Sequence, residues 1–231
     1  MHERRTDFSF LKSARWPIMI FSSIILLWWI SFPSFSHRFR LSVLVNDNGV
    51  VRDMSGVFEV TTHMAPAFLR DINYGSEAPH LRGDALVLNL GARGVLIMTL
   101  RGIGKYRPEL MAFLTFGHVP SFDGDRRREL SVMSSLHGTA DVPPEHLWTF
   151  IALRDKNDPT SMKAVDIKDL SATFGQNVSF SDAKIEMTND PVTDDIGREL
   201  PWLAQVRPGS TIGPKGEGIN LGFQTYEFRS E

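Results

Sequence analysis

Seventeen consecutive residues, Trp16 to Phe32, contain no charged side chain. As a helix rising 1.5 Å per residue they reach roughly 25 Å, at the short end of what a hydrocarbon core of about 30 Å requires. Ser22 and Ser23 can return their hydroxyls to backbone carbonyls one turn back. Trp16 at one end and Trp28 and Trp29 near the other suit the headgroup zones. Pro17 falls in the first turn, where a missing N–H costs nothing, and Pro33 supplies a stop. No polar face exists, so a buried helix of a soluble protein fits poorly. The expectation is one transmembrane helix over 16–35.

Orientation follows from the flanking basic residues. Arg4, Arg5, Lys12 and Arg15 precede the segment, whereas only Arg38 and Arg40 follow it closely. This asymmetry predicts a cytoplasmic stretch over 1–15 and a translocated C-terminal domain. The alternative is a cleaved signal peptide, with Ser34-Phe35-Ser36 as a small-x-small site. The length of the apolar run and its paired tryptophans favour retention.

The remainder of the chain is mildly acidic. The first forty residues hold six basic and two acidic side chains, leaving nineteen Lys and Arg against twenty-five Asp and Glu. That balance argues against a nucleic-acid partner. With no cysteine at all, disulfides, thiolate metal sites and a cysteine nucleophile are excluded. About 190 residues follow the anchor, enough for one good core.

Period-two patterning dominates those residues. Phe39, Leu41, Val43 and Val45 alternate with more polar neighbours as in a half-buried strand, and Asn48-Gly49 is a strong hairpin turn signal before a return strand over Val51 to Thr62. A second hairpin runs from Ala85 to Leu90, turns at Gly91 to Gly94 and returns to Leu100; apolar residues on both its faces imply burial between layers. Pro108 to Leu114 suits a short helix or strand, and Val119 to Glu129, including Arg126-Arg127-Arg128, reads as a polar, solvated loop. Leu147 to Leu153 reads as a core strand. Asp166 caps a short helix ending at Gly175, Thr193 caps another over Asp194 to Leu200, and Trp202 plugs one end of the core. The fold class expected is mainly β with a few short helices, an antiparallel sandwich or rolled sheet. The β-rich domain is placed at 37–206, and 207–231 is a Gly/Pro-rich tail, mobile over Pro208 to Gly218, whose alternating Ile219, Leu221 and Phe223 suit a last strand returning to the body.

Chemistry-bearing motifs are sparse. His63, His80, His118, His137 and His146 show no zinc-ligand spacing. Asp155, Asn157 and Asp158 before Thr160 lack the glycine of a calcium loop at position six, which leaves turn and cap duty. Arg82-Gly83-Asp84 spells an adhesion tripeptide, but its neighbours suggest a strand entrance. No cofactor or metal is expected, and catalytic residues remain unassigned. A hydrolase would have to pair His137 or His146 with Asp155 or Asp158, which flank polar turns.

Several stretches carry a resemblance. Ala152-Leu153-Arg154-Asp155-Lys156-Asn157-Asp158-Pro159-Thr160-Ser161, then Val165 to Leu170 with Phe174-Gly175, then Ile185 to Thr193 and Leu200-Pro201-Trp202-Leu203, resemble an uncharacterised family of proteobacterial single-pass envelope proteins. The similarity spans about residues 37 to 203. Asp194-Asp195 and Gly197 depart from it, since more basic character is expected there. The family carries no assigned activity, cofactor or site, so the resemblance implies placement alone: a bacterial inner membrane, an N-terminus in the cytoplasm and a periplasmic domain. Three roles follow as expectations. The first is a non-enzymatic module that binds or scaffolds another envelope protein, with the lipid bilayer contacted through Trp16 to Phe32. The second is a lipid- or glycan-binding β module, and the third a membrane-tethered hydrolase.

Overall fold

The computed structural model describes residues 17–23, 25, 33–64, 78–103, 107–118, 126–213 and 223–230. The chain divides into two compact units, residues 1–35 with 62–78 and residues 36–61 with 79–231.

In the first unit, residues 17–23 and 25 are helical. Ser23 Oγ donates to the Met19 carbonyl at 2.8 Å, the one-turn back-bond expected of a serine in an apolar helix. The rest of the expected transmembrane span lies outside the described residues. Among the described residues no helix is long and apolar enough to cross a membrane. The expected boundary at residue 35 is corrected, because Ser34 and Phe35 already belong to strand. The Pro33 carbonyl accepts from Met64 N at 3.0 Å.

The second unit is mainly β, with antiparallel sheets and short helices. Strands β1 (Ser34–Asp47) and β2 (Val50–His63) form the first hairpin. Asn48 and Gly49 turn it with φ of 55° and 82°, the paired positive angles that a two-residue turn needs. β3 (His80–Asp84) follows, then β4 (Leu86–Asn89) and β5 (Val95–Met98), which form the second hairpin as the sequence predicts. A 3-10 turn at Pro108–Leu110 leads into helix α1 (Met111–Thr115). Helix α2 (Arg126–Ser134) replaces part of the expected loop. The cause is Leu130 and Met133, which bury at helical spacing just beyond the basic run. Next come β6 (Thr139–Asp141), β7 (Phe150–Leu153), β8 (Met162–Val165), helix α3 (Ser171–Phe174) and β9 (Val178–Met187). Helix α4 (Ile196–Glu199) precedes the short strands β10 (Thr211–Ile212), β11 (Phe223–Gln224) and β12 (Arg229–Ser230).

Six strands order as β12-β3-β2-β1-β9-β6, four as β4-β5-β7-β8, and β10 pairs with β11. Along β1 every second residue is buried, from His37 through Phe39, Leu41, Val43 and Val45 to Asp47. In β5 and β7 all four residues are buried, as expected for central strands covered on both faces. Val95, Ile97, Ile151, Leu153 and Met162 pack on one side against Ile196, Leu200, Trp202, Phe223 and Phe228. The two large sheets meet where a methyl group at Gly56 of β2 would stand 2.6 Å from Leu86 Cδ2 of β4. At Gly83, φ is 147° and an added Cβ would lie 2.6 Å from Phe58 Cδ1, so only glycine lets β3 pass that ring.

Two further expectations need correction. Thr193 does not cap the following helix. Its Oγ1 accepts from Val57 N at 2.8 Å and its own N–H donates to the Val57 carbonyl at 3.1 Å, so it extends the edge of β2. The Ile196 N–H at the start of α4 is taken instead by Asp84 Oδ2 at 3.0 Å, from 112 residues upstream. Nor does the domain end at 206, because Ile212, Phe223 and Phe228 lie in the core. Phe223 falls in β11, at the end of the alternation from which a last strand is expected, whereas Ile212 and Phe228 belong to no period that would announce burial. Residues 214–222, which include Ile219 and Leu221 of the expected last strand, lie outside the described set.

Candidate functional site

The strand row that begins in the core ends at a polar cavity. Two residues before Phe39 on the same face of β1 lies His37, only 7% exposed. Its ring stacks on Phe39 at 6.4 Å between centroids and meets Phe113 of α1 edge-on at 6.1 Å. Burial among these rings pushes its pKa down to about 4, because a desolvated imidazolium loses its hydration. The imidazole is therefore neutral at ordinary pH. Its Nε2 has no hydrogen-bond partner among the described residues.

His37 lines a cavity of about 180 Å³ together with Arg38, Glu59, Ser134, His137 and Asn189, among others. Arg38 points from the opposite face of β1, where its Nε donates to Glu59 Oε2 of β2 at 2.5 Å. The segment after β9 is pinned to β1: Thr188 N donates to the Arg38 carbonyl at 3.1 Å, and Arg40 Nη2 donates to Asp190 Oδ2 at 2.6 Å. The Arg40 bond, with one involving Thr188, holds the Asp190 carboxyl below the usual carboxylate range. Met187 N donates to the Gly138 carbonyl at 3.0 Å and so ties in the chain leaving α2.

A second concavity of about 250 Å³ is walled by Leu203, Val206, Pro208 and Tyr226, with Arg229 beside them. Its arginine is already matched, at 3.7 Å to both Asp84 and Asp194. Asp84 itself is buried. Its pKa is raised, since burial outweighs the Ile196 N–H and Arg229. The His37 cavity is the better candidate, because it joins convergent polar groups to a perturbed titratable residue.

In the histidine–aspartate pairings considered for a hydrolase, both carboxylates are engaged within their own turn, and the four-residue strand β7 separates His146 from Asp155 in the chain. Asp155 Oδ1 accepts from Asn157 N at 2.9 Å. Asp158 Oδ1 accepts from Thr160 N at 2.8 Å and from Thr160 Oγ1 at 2.6 Å, bonds that lower its pKa. Both carboxylates therefore serve the turn, as their spacing predicts. His137 does reach a cavity, but beside His37 and not beside either aspartate. His63, His80 and His118 are exposed. Asp84 of the Arg-Gly-Asp tripeptide is turned inward to α4, and the tripeptide lies within β3 rather than at its entrance.

His37 was missed as a site residue because sequence inspection began the strand at Phe39. Extending the same period by two positions places it on the core face, where a histidine needs explaining. Chemically, the cavity suits recognition. Ser134 Oγ donates its proton to the Leu130 carbonyl at 3.0 Å, so no histidine activates it as a nucleophile. Comparison with protein-family models, with curated proteins and with solved structures finds no match to the chain.

Proposed function

We propose that this chain is a membrane-anchored envelope module whose β-rich domain acts by binding. One observation carries the anchor. Ile18, Met19, Ile20 and Phe21 are consecutive in a helix and are 62%, 67%, 55% and 67% exposed. Four consecutive positions, about 100° apart, cover the whole circumference. A helix that is apolar all round needs an apolar surrounding, and these side chains lack protein cover. The bilayer is the surrounding that fits, with the basic flank of residues 4–15 on the cytoplasmic side. The resemblance to proteobacterial envelope proteins agrees with a periplasmic domain. Membrane fractions extracted with alkaline carbonate should retain the protein, and mass spectrometry of its N-terminus should find residues 1–36 present. Release into the soluble fraction, or a mature chain beginning at His37, overturns the anchor.

Two kinds of binding fit such a module. Binding or scaffolding of another envelope protein is tested by crosslinking in intact cells, where failure to recover a stable partner counts against it. Small-ligand binding is favoured by a specific observation, the polar cavity at His37. The hydrolase reading is disfavoured by Asp155 and Asp158, whose carboxylates serve their own turn.

A further inference from the structure

The charge around the His37 cavity limits what it can hold. Arg38 and Glu59 neutralise each other across 2.5 Å, and His37 is uncharged. An anion entering would find no unmatched cation. A metal ion would find one carboxylate already bonded, and among the described residues no three His, Asp or Glu side chains group to hold one. What remains in the lining is a set of hydrogen-bonding residues without carboxylate or guanidinium: Ser36, Ser134, Thr188, Asn189 and His137. To these the Arg38 guanidinium and Glu59 carboxylate add a donor and an acceptor fixed in direction by their own bond. Together these side chains can both donate to and accept from hydroxyl groups, which suits a molecule carrying a hydroxyl on each of several adjacent carbons.

Size narrows the class further. A cavity of about 180 Å³ lies below the roughly 300–1,000 Å³ of drug-sized ligand sites, which leaves room for a molecule on the scale of one pyranose ring. We infer that the cavity bounded by Ser36–Arg38, Glu59, residues 134–137 and residues 187–189 binds a neutral polyhydroxylated ligand of about one sugar ring. The inference rests on the reading of the domain as a binding module and is independent of the anchor.

The test uses the full chain in a detergent without a sugar headgroup. Glucose, N-acetylglucosamine, inorganic phosphate and Zn²⁺ are titrated separately by calorimetry and ligand-observed NMR. At least one of the two sugars should bind with a dissociation constant on the order of 1 mM or tighter, as expected for a ligand of a dozen heavy atoms. Asn189→Ala, an exposed position whose change spares the core, should weaken that binding at least tenfold. Ser134→Ala serves as a second variant, and Val50→Ser at the hairpin tip should leave binding unchanged. Phosphate or Zn²⁺ binding that Asn189→Ala abolishes would keep the module a binder while overturning the ligand class. No sugar binding up to roughly 50 mM, or sugar binding indifferent to both cavity variants, also overturns the inference. Success or failure here leaves the carbonate-extraction result untouched, so the two readings fall separately.

Discussion

Strand β1 and the segment Phe223–Ser230 both reach the centre of the domain, by opposite means. β1 enters by repetition: Phe39, Leu41, Val43 and Val45 are all fully buried on one face, and strands β2 and β9 flank it on both sides. The C-terminal segment has little ladder of its own, with β11 and β12 only two residues each. It enters by point anchors instead. Phe223 and Phe228 are fully buried and meet edge-on at 6.1 Å. Glu227, its side chain 9% exposed, holds Arg101 through two bonds of 2.6 and 2.8 Å. Arg101 lies over the Phe223 ring at 4.2 Å, and the Leu100 N–H reaches the Glu227 carbonyl at 2.6 Å. Burial through a periodic strand spreads its stability over many equivalent contacts. Burial through anchors concentrates it in a few.

That contrast makes ordered predictions. Phe228→Ala removes an anchor with no equivalent neighbour and should destabilise by about 3–5 kcal/mol in chemical denaturation. Leu41→Ala, in the repeated row, should fall near the low end of the roughly 2–5 kcal/mol typical of such truncations. A larger loss at Leu41 than at Phe228 would break the comparison. Glu227→Ala removes two bonds to Arg101 and takes from the Gln224 N–H the Glu227 Oε2 acceptor now at 2.7 Å. A loss of about 3 kcal/mol is expected, measurable as a lower denaturation midpoint at unchanged slope.

The pH prediction concerns the cavity end of β1. His37 has a folded pKa of about 4 against an ordinary value of 6.5, so between those values the unfolded chain binds more protons. Stability therefore rises with pH through that window and falls as pH drops from 6.5 towards 4, by roughly 3 kcal/mol in all. His37→Phe should flatten this slope, as read from unfolding midpoints at several pH values; an unchanged slope would mean the imidazole is not desolvated. The smallest effect belongs to the hairpin turn. Gly49→Ala should cost about 1 kcal/mol because its φ of 82° suits glycine, with no partner displaced.

Much of the body was legible for reasons these regions illustrate. Alternation along β1, the Asn-Gly turn, the doubly apolar second hairpin, the Asp166 cap and the Trp202 plug each depend on local pattern. Trp202 is buried, and its Nε1 donates to the Lys156 carbonyl at 2.9 Å. What escaped depends on partners far away in sequence. Phe228 carries no period. Thr193 looked like a cap and became an edge partner of Val57, while the cap of α4 came from Asp84. The cavity escaped for a related reason: its walls come from four separated stretches, and only His37 lay on a readable row.

The bond between Arg101 and Glu227 joins residues 126 positions apart, and β12 closes β3 through Arg229 and Ser230. A ribosome adding about 5–20 residues per second needs roughly 6–25 seconds to cover that interval. Throughout it Arg101 lacks its carboxylate, Asp84 lacks Arg229, and β3 presents an open edge of the kind that recruits foreign strands. The edge of β3 at Gly83 and Asp84 is therefore covered only after synthesis has passed Ser230.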